Sequence, residues 1–213
     1  MQLHLSNEPA YLETLDEAVH ALERARIRYA IGGGLAAVAY GRDRLTHDID
    51  IFVRPTDPDL ALTALARAGF ATERTDPTWL YKAFKRDVMI DIIFRSKGDI
   101  YVDEETLDRA RLMSFRGRQL RVLSPEDLFV IKVMVWHTEV PRHWHDAFGI
   151  LKQDHLDWEY LLRRARVGPQ RVLALLLLAR DDGLEVPDRV LRELARMSLP
   201  GYPPECHPSS DRG

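Results

Sequence analysis

Residues 29–54 read YAIGGGLAAVAYGRDRLTHDIDIFVR. Tyr29 to Ile31 is a short apolar piece that runs into Gly32, Gly33 and Gly34, which is how a buried strand ends in a tight turn. Leu35 to Tyr40 has the small and apolar residues of a short helix, and Asp48 to Val53 reads as a second strand. Residues i and i+2 of a strand share a face. Asp48 and Asp50 are therefore expected side by side, with Ile49 and Ile51 turned into the core. Like charges held that close are costly unless a cation lies between them. An all-oxygen donor set of this kind suits Mg2+ or Mn2+.

Working outward, Leu12, Leu15, Val19 and Leu22 give Pro9 to Arg26 a helical period, with Ser6 or Asn7 as its cap. Asp57 to Ala68 is helix-like and stops at Gly69. Phe70 to Arg74, Trp79 to Lys85 and Val88 to Phe94 read as strands, the last two joined by a tight Arg86-Asp87 connection. Asp103 to Arg111 is expected to be a short helix, and Gly117 separates two further strand-like pieces. Character changes at Ser124-Pro-Glu-Asp, where Ser124 caps a helix, Pro125 takes its first turn and Glu126 and Asp127 favour its dipole. Helices are then expected over Asp127 to His137, Arg142 to Leu151, Trp158 to Ala165, Pro169 to Arg180 and Pro187 to Met197. The expected organisation is an α/β domain over 1–122, a helical domain over 123–199 and a flexible tail over 200–213.

Asp91 lies inside the apolar run VMIDIIF. A charge there needs a reason, because burying it unpaired is expensive. On a strand beside Asp48 and Asp50 it completes a cluster able to hold two cations, about 3.5–4 Å apart in sites of this type. Read alone, it could equally pair with Lys85 or Arg95. The glycines allow close backbone approach and offer N–H groups to phosphate. Arg44 and Thr46 could add a cation and a hydroxyl to the same phosphates, or serve only as an ion-pair partner of Asp48 and a local cap.

Bulk composition narrows the class. The chain has 213 residues, 46% hydrophobic, with a formal net charge of −3. That balance argues against a strongly basic nucleic-acid surface overall, though not against a local patch. Cys206 is the sole cysteine, so no internal disulfide forms, which fits a reducing cytoplasm. The start, MQLHLSNEPAYLE, lacks the basic-then-apolar pattern of a signal peptide. Val172 to Ala179 is too short to span a bilayer and reads as core helix. Arg163, Arg164, Arg166 and Arg171 read as a solvated helix face. His137, His143 and His145, near Trp136 and Trp144, lack standard zinc-ligand spacing and are expected to pack the domain junction or line a cleft.

Gly33-Gly34, the short helix, Arg44, Thr46 and Asp48-Ile49-Asp50 together resemble the signature of the DNA polymerase β-type nucleotidyltransferase superfamily. The resemblance is narrower still to its small bacterial members, toxin-type and minimal nucleotidyltransferases and small-molecule adenylyltransferases. It implies a mixed sheet flanked by helices, followed by a helical domain. It implies Mg2+-dependent transfer of a nucleoside monophosphate from NTP, such as ATP, to an acceptor hydroxyl with release of pyrophosphate. The acceptor would be RNA (a tRNA 3′ end), a protein hydroxyl as in toxin–antitoxin pairs, with an antitoxin or toxin as partner, or a small molecule such as an antibiotic. Asp48, Asp50 and Asp91 take the places of its catalytic, metal-binding carboxylates. Gly33, Gly34, Arg44 and Thr46 match its nucleotide-binding positions, as do Lys132 and Asp146 in a helix pair read in SPEDLFVIKVMVW and RHWHDAFGIL. By themselves, Lys132 could be a snorkelling surface lysine and Asp146 a helical partner of Arg142. Many members carry serine where this chain has Gly34. A module of the same fold that binds nucleotide without turnover is the alternative, with a metal-dependent phosphohydrolase more remote.

Overall fold

The computed structural model describes residues 8–42, 46–137, 142–153 and 156–199. Arg44, Cys206, the proposed caps Ser6 and Asn7 and the expected tail lie outside them. Seven strands form one mixed sheet in the order β3-β4-β5-β2-β1-β7-β6. These are β1 (Tyr29–Ile31), β2 (Asp48–Val53), β3 (Ala71–Asp76), β4 (Leu80–Lys85), β5 (Val88–Ile93), β6 (Arg111–Phe115) and β7 (Arg118–Val122). β2 runs parallel to β5 and antiparallel to β1, while β1 is parallel to β7. This is the α/β architecture the sequence implied.

The period-2 pattern sorts the sheet's faces. Ile49, Ile51, Ile90 and Ile92 are fully buried, and register places Ala83 and Tyr81 beside Ile90 and Ile92. Helices α1 (Glu8–Arg24) and α3 (Pro58–Arg67) cover this face with Leu15, Leu22, Leu62 and Leu65. Burying each such side chain is worth roughly 1.5–3 kcal/mol, which fixes register, since a one-residue slip would turn the isoleucines outward. The opposite face carries a lateral row: Asp50 pairs with Asp91, and Asp91 with Lys82. Tyr11 of α1 reinforces the entry to β2 by donating to the Asp48 carbonyl at 3.0 Å.

Several boundaries differ from expectation for local reasons. α1 stops at Arg24, because Arg26 adopts a left-handed conformation at φ 56°. α2 (Gly33–Ala39) begins two residues earlier than expected, its first turn closed by Ala36 N–H donating to the Gly32 carbonyl at 2.9 Å. Helix α4 (Glu104–Arg109) ends before Arg111 because Ala110 is extended. Arg86 and Asp87 both sit at positive φ, 51° and 61°, forming the two-residue turn that suits hairpin twist.

After Val122 the elements of the described residues are helical: α5 (Pro125–Val135), α6 (Arg142–Leu151), α7 (Trp158–Arg164), α8 (Pro169–Asp181) and α9 (Asp188–Ser198), with a 3-10 turn at Ala165–Val167. Ser124 caps α5 by accepting from the Asp127 N–H at 3.1 Å. Asp127 does more than meet the dipole. It is buried, receives Ser124 and Tyr160 hydroxyls, each at 2.8 Å, and pairs with Arg164 at 2.7 Å. Burial still pushes its carboxyl above the ordinary range, against those partners. The arginine group divides: Arg163 and Arg166 are exposed, as expected of a solvated face, with Arg163 bound to Glu105, whereas Arg164 pairs with buried Asp127 and Arg171 donates to the Trp136 carbonyl at the end of α5. The run 172–179 is only half core. Val172, Leu175, Leu176 and Ala179 are fully buried, but Leu177 and Leu178 are 46% and 45% exposed, because a helix turns one face to its neighbours.

Candidate active site

The three aspartates come together. Asp48 and Asp50 project from β2 and Asp91 from β5, with carboxylate oxygens all within 4.8 Å of one another. Parallel pairing of β2 and β5 causes this, since it sets Asp50 directly opposite Asp91. Enclosure pushes the Asp50 carboxyl up to about 6, and the neighbouring Asp48 and Asp91 charges push the same way. Lys132 and the Gly34 N–H, which bonds to Asp50, oppose the rise.

Gly33 is dictated by that crowding. It sits at φ +56°, and a Cβ there would fall 1.5 Å from an Asp50 carboxylate oxygen. No other residue type fits the turn while leaving Asp50 in place. Thr46 is buried and donates to Asp48 Oδ1 at 3.2 Å, so its hydroxyl aims the carboxylate.

Partners differ from the simple readings in informative ways. Asp91 pairs with Lys82 at 2.7 Å, not with Lys85 or Arg95. Lys85 instead binds Glu17 on α1, and Arg95 binds Asp99. Lys132 is not a snorkelling lysine: it is 3% exposed, and its Nζ lies 3.0 Å from Asp146 Oδ2. Asp146, buried on α6, is also approached by Arg42 at 3.9 Å. Lys132 lines the cleft and Asp146 stands behind it.

The cleft has a volume of about 750 Å³ and holds all three aspartates. Gly33, Gly34 and Thr46 line it on the β2 side; Thr78, Trp79, Arg95 and Lys97 line it on the β5 side. Arg142 and His143 of α6 also contribute. Trp136 and Trp144 pack ring to ring at 4.5 Å near this junction, and His143 lines the cleft as one reading of the histidines anticipated. Sequence reasoning missed Lys82, Trp79 and Lys97. Lys82 could have been found, because it and Asp91 stand equally far from the Arg86-Asp87 turn.

Among the described residues, the three aspartates are the only acidic, histidine or cysteine group arranged to hold a metal ion. Crowded carboxylates with one raised well above its ordinary value form a donor set that a hard divalent cation would relieve. No helix of the described residues is long and apolar enough to cross a membrane.

Residues 11–149 match the family model described as nucleotidyl transferase of unknown function (DUF2204). Comparison with curated protein sequences gave no match. Among solved structures, the solution structure of the antibiotic-resistance factor ANT(2″)-Ia is 17% identical, with a TM-score of 0.53 over 79% of this chain and 96% of that one. A crystal structure of ANT(2″)-Ia in complex with adenylyl-2″-tobramycin is also 17% identical, with a TM-score of 0.50 over 79% of this chain and 95% of that one. At such identity the likeness is one of fold.

Proposed function

The chain belongs to this family of nucleotidyl transferases, and we propose that it moves a nucleoside monophosphate from an NTP to an acceptor hydroxyl with the help of a divalent cation. The observation that carries the reading is the convergence of Asp48, Asp50 and Asp91 within 4.8 Å in a cleft large enough for a nucleotide. Asp48 and Asp50 would hold a cation on the triphosphate, and all three aspartates one at the acceptor. Mg2+ or Mn2+ bound there supplies charge neutralisation and a lowered acceptor pKa.

The chain's own residues do the rest. Thr46 and Gly33 keep Asp48 and Asp50 aimed at the cleft. The acceptor oxygen attacks the α-phosphorus, forming a new P–O bond as the bond to the bridging oxygen of the β-phosphate breaks. The acceptor proton passes to Asp91 as general base, and the electron pair leaves with pyrophosphate. Lys132, positioned by Asp146, is suited to stabilise charge on that leaving group. Gly33, Gly34 and Arg44 complete the phosphate contacts in this reading. The nucleotidyltransferase unit is taken to end at residue 122 and the helical unit, whose Lys132 closes the cleft, to begin at 123.

The test incubates the protein with Mg2+, each α-labelled NTP in turn and a cell extract. Label transferred to an acceptor, with stoichiometric pyrophosphate, supports the reading. Tight NTP binding with no pyrophosphate under any acceptor mixture would favour a binding module instead.

A further inference from the structure

The half of the cleft beyond Asp91 has a chemical character of its own. Trp79, at the turn before β4, is 42% exposed, yet its ring is held: Nε1 donates to Asp76 at 3.0 Å. Its backbone is tied to β5, since the Phe94 N–H donates to the Trp79 carbonyl at 3.1 Å. Phe94, just past the end of β5, is three residues from Asp91, a span of about 10 Å. A held indole thus lines the same cleft as the group assigned to take the acceptor's proton.

Outside the triad, cations outnumber carboxylates among the described residues lining the cleft. Lys97 and Arg142 line the cleft, and neither has an ion-pair partner among the described residues. Arg95 also lines it, paired with Asp99. Asp99 is the only lining carboxylate outside the triad among the described residues, and Arg95 already occupies it. Among the described lining residues outside the triad, no carboxylate is left to receive the amino groups of a polycationic acceptor. An exposed aromatic face in one cleft with cations that lack an ion-pair partner among the described residues is instead the equipment that binds single-stranded nucleic acid. The overall charge of −3 does not oppose this, because the patch is local.

We propose that the acceptor hydroxyl is the 3′-OH of an RNA strand, its terminal base stacked on Trp79 and its phosphodiester set against Lys97 and Arg142. This rests on the nucleotidyl transfer proposed above and names that reaction's acceptor. The 3′ oxygen attacks the α-phosphorus of the NTP, a phosphodiester bond forms, pyrophosphate departs, and the 3′-OH proton goes to Asp91. The strand is lengthened by one nucleotide.

The experiment measures binding of a fluorescent single-stranded RNA hexamer with a free 3′-OH by anisotropy in Mg2+, with AMP and kanamycin as competitors. ATP binding is followed separately by calorimetry. Trp79→Leu should weaken hexamer binding about tenfold or more. Lys97→Gln should make the slope of log affinity against log salt shallower by about 0.7. ATP affinity and melting temperature should stay unchanged in both variants. AMP should compete and kanamycin should not. The proposal is overturned if kanamycin binds where the hexamer does not, or if Trp79→Leu and Lys97→Gln bind the hexamer as the parent does. Retained ATP binding without hexamer binding overturns the acceptor alone; loss of both in the parent protein overturns the nucleotidyl transfer reading as well.

Discussion

Replacing Asp50 by Asn should stabilise the metal-free protein while disabling it. The Asp50 carboxyl is pushed up to about 6, first by enclosure and then by Asp48 and Asp91. Its ordinary value is 3.8, so the folded state holds this proton more tightly than the unfolded chain does. Asp50 therefore costs little stability below about pH 4. The cost grows as pH rises from about 4 to about 6 and is complete above that. Two pKa units correspond to about 3 kcal/mol. Asp50 keeps some surface toward the cleft, and solvent screening there should reduce the figure to about 1.5 kcal/mol. Asn keeps an oxygen for the Gly34 N–H and carries no charge. In EDTA at about pH 8, Asp50→Asn should melt roughly 3–6 °C above the parent. At about pH 4 most of that margin should vanish. Saturating Mg2+ should raise the parent, by about 2.7 kcal/mol at a hundred times its dissociation constant, and leave the variant where it was. Scanning calorimetry across pH, with and without Mg2+, checks each point. If Asp50→Asn melts at or below the parent in EDTA at about pH 8, the three carboxylates are not in electrostatic conflict and the reasoning fails.

Other substitutions probe the supports. Gly33→Ala puts a Cβ onto the Asp50 carboxylate at a positive φ. It should cost at least about 1–2 kcal/mol by denaturant unfolding and abolish transfer. Lys82→Met removes the ammonium bound to Asp91. Mn2+ affinity should rise several-fold by calorimetry, because the lysine competes with the cation for that carboxylate; a fall would instead make Lys82 a required positioner. Tyr160→Phe takes one donor from the buried Asp127 and should lower stability by about 1–3 kcal/mol in urea melts while leaving Mn2+ binding intact.

Much of the fold was readable because its signals are local. The alternation of aspartate and isoleucine along β2 and β5 reports both the buried face and the polar one. The Arg86-Asp87 turn and the Ser124-Pro125 start are punctuation that short-range sterics and capping enforce. The convergence of Asp91 on Asp48 and Asp50 was legible once a sheet was assumed. The partner of Asp91 was missed although the signal was there: counting the hairpin register out from the Arg86-Asp87 turn puts Lys82 opposite Asp91. The buried state of Lys132, by contrast, was hidden. Its partner Asp146 lies on another helix, and one helix's period cannot reveal a contact supplied by the next. Leu177 and Leu178 show the reverse error, where an unbroken apolar run hid that α8 has an outer face. Trp79 gave no signal in the sequence beyond being a tryptophan near a turn, and only the tie of its carbonyl to Phe94 places it at the cleft.

Mn2+ titration followed by electron paramagnetic resonance tests the shared cation site most directly, with the parent protein, Asp48→Asn and Asp91→Asn compared at about pH 8. Saturable Mn2+ binding by the parent, weakened at least about tenfold in each variant without loss of the folded melting transition, is the expected result. Unchanged affinity in Asp91→Asn would contradict it, for then the β5 carboxylate, although within 4.8 Å of its neighbours, takes no part in holding the ion.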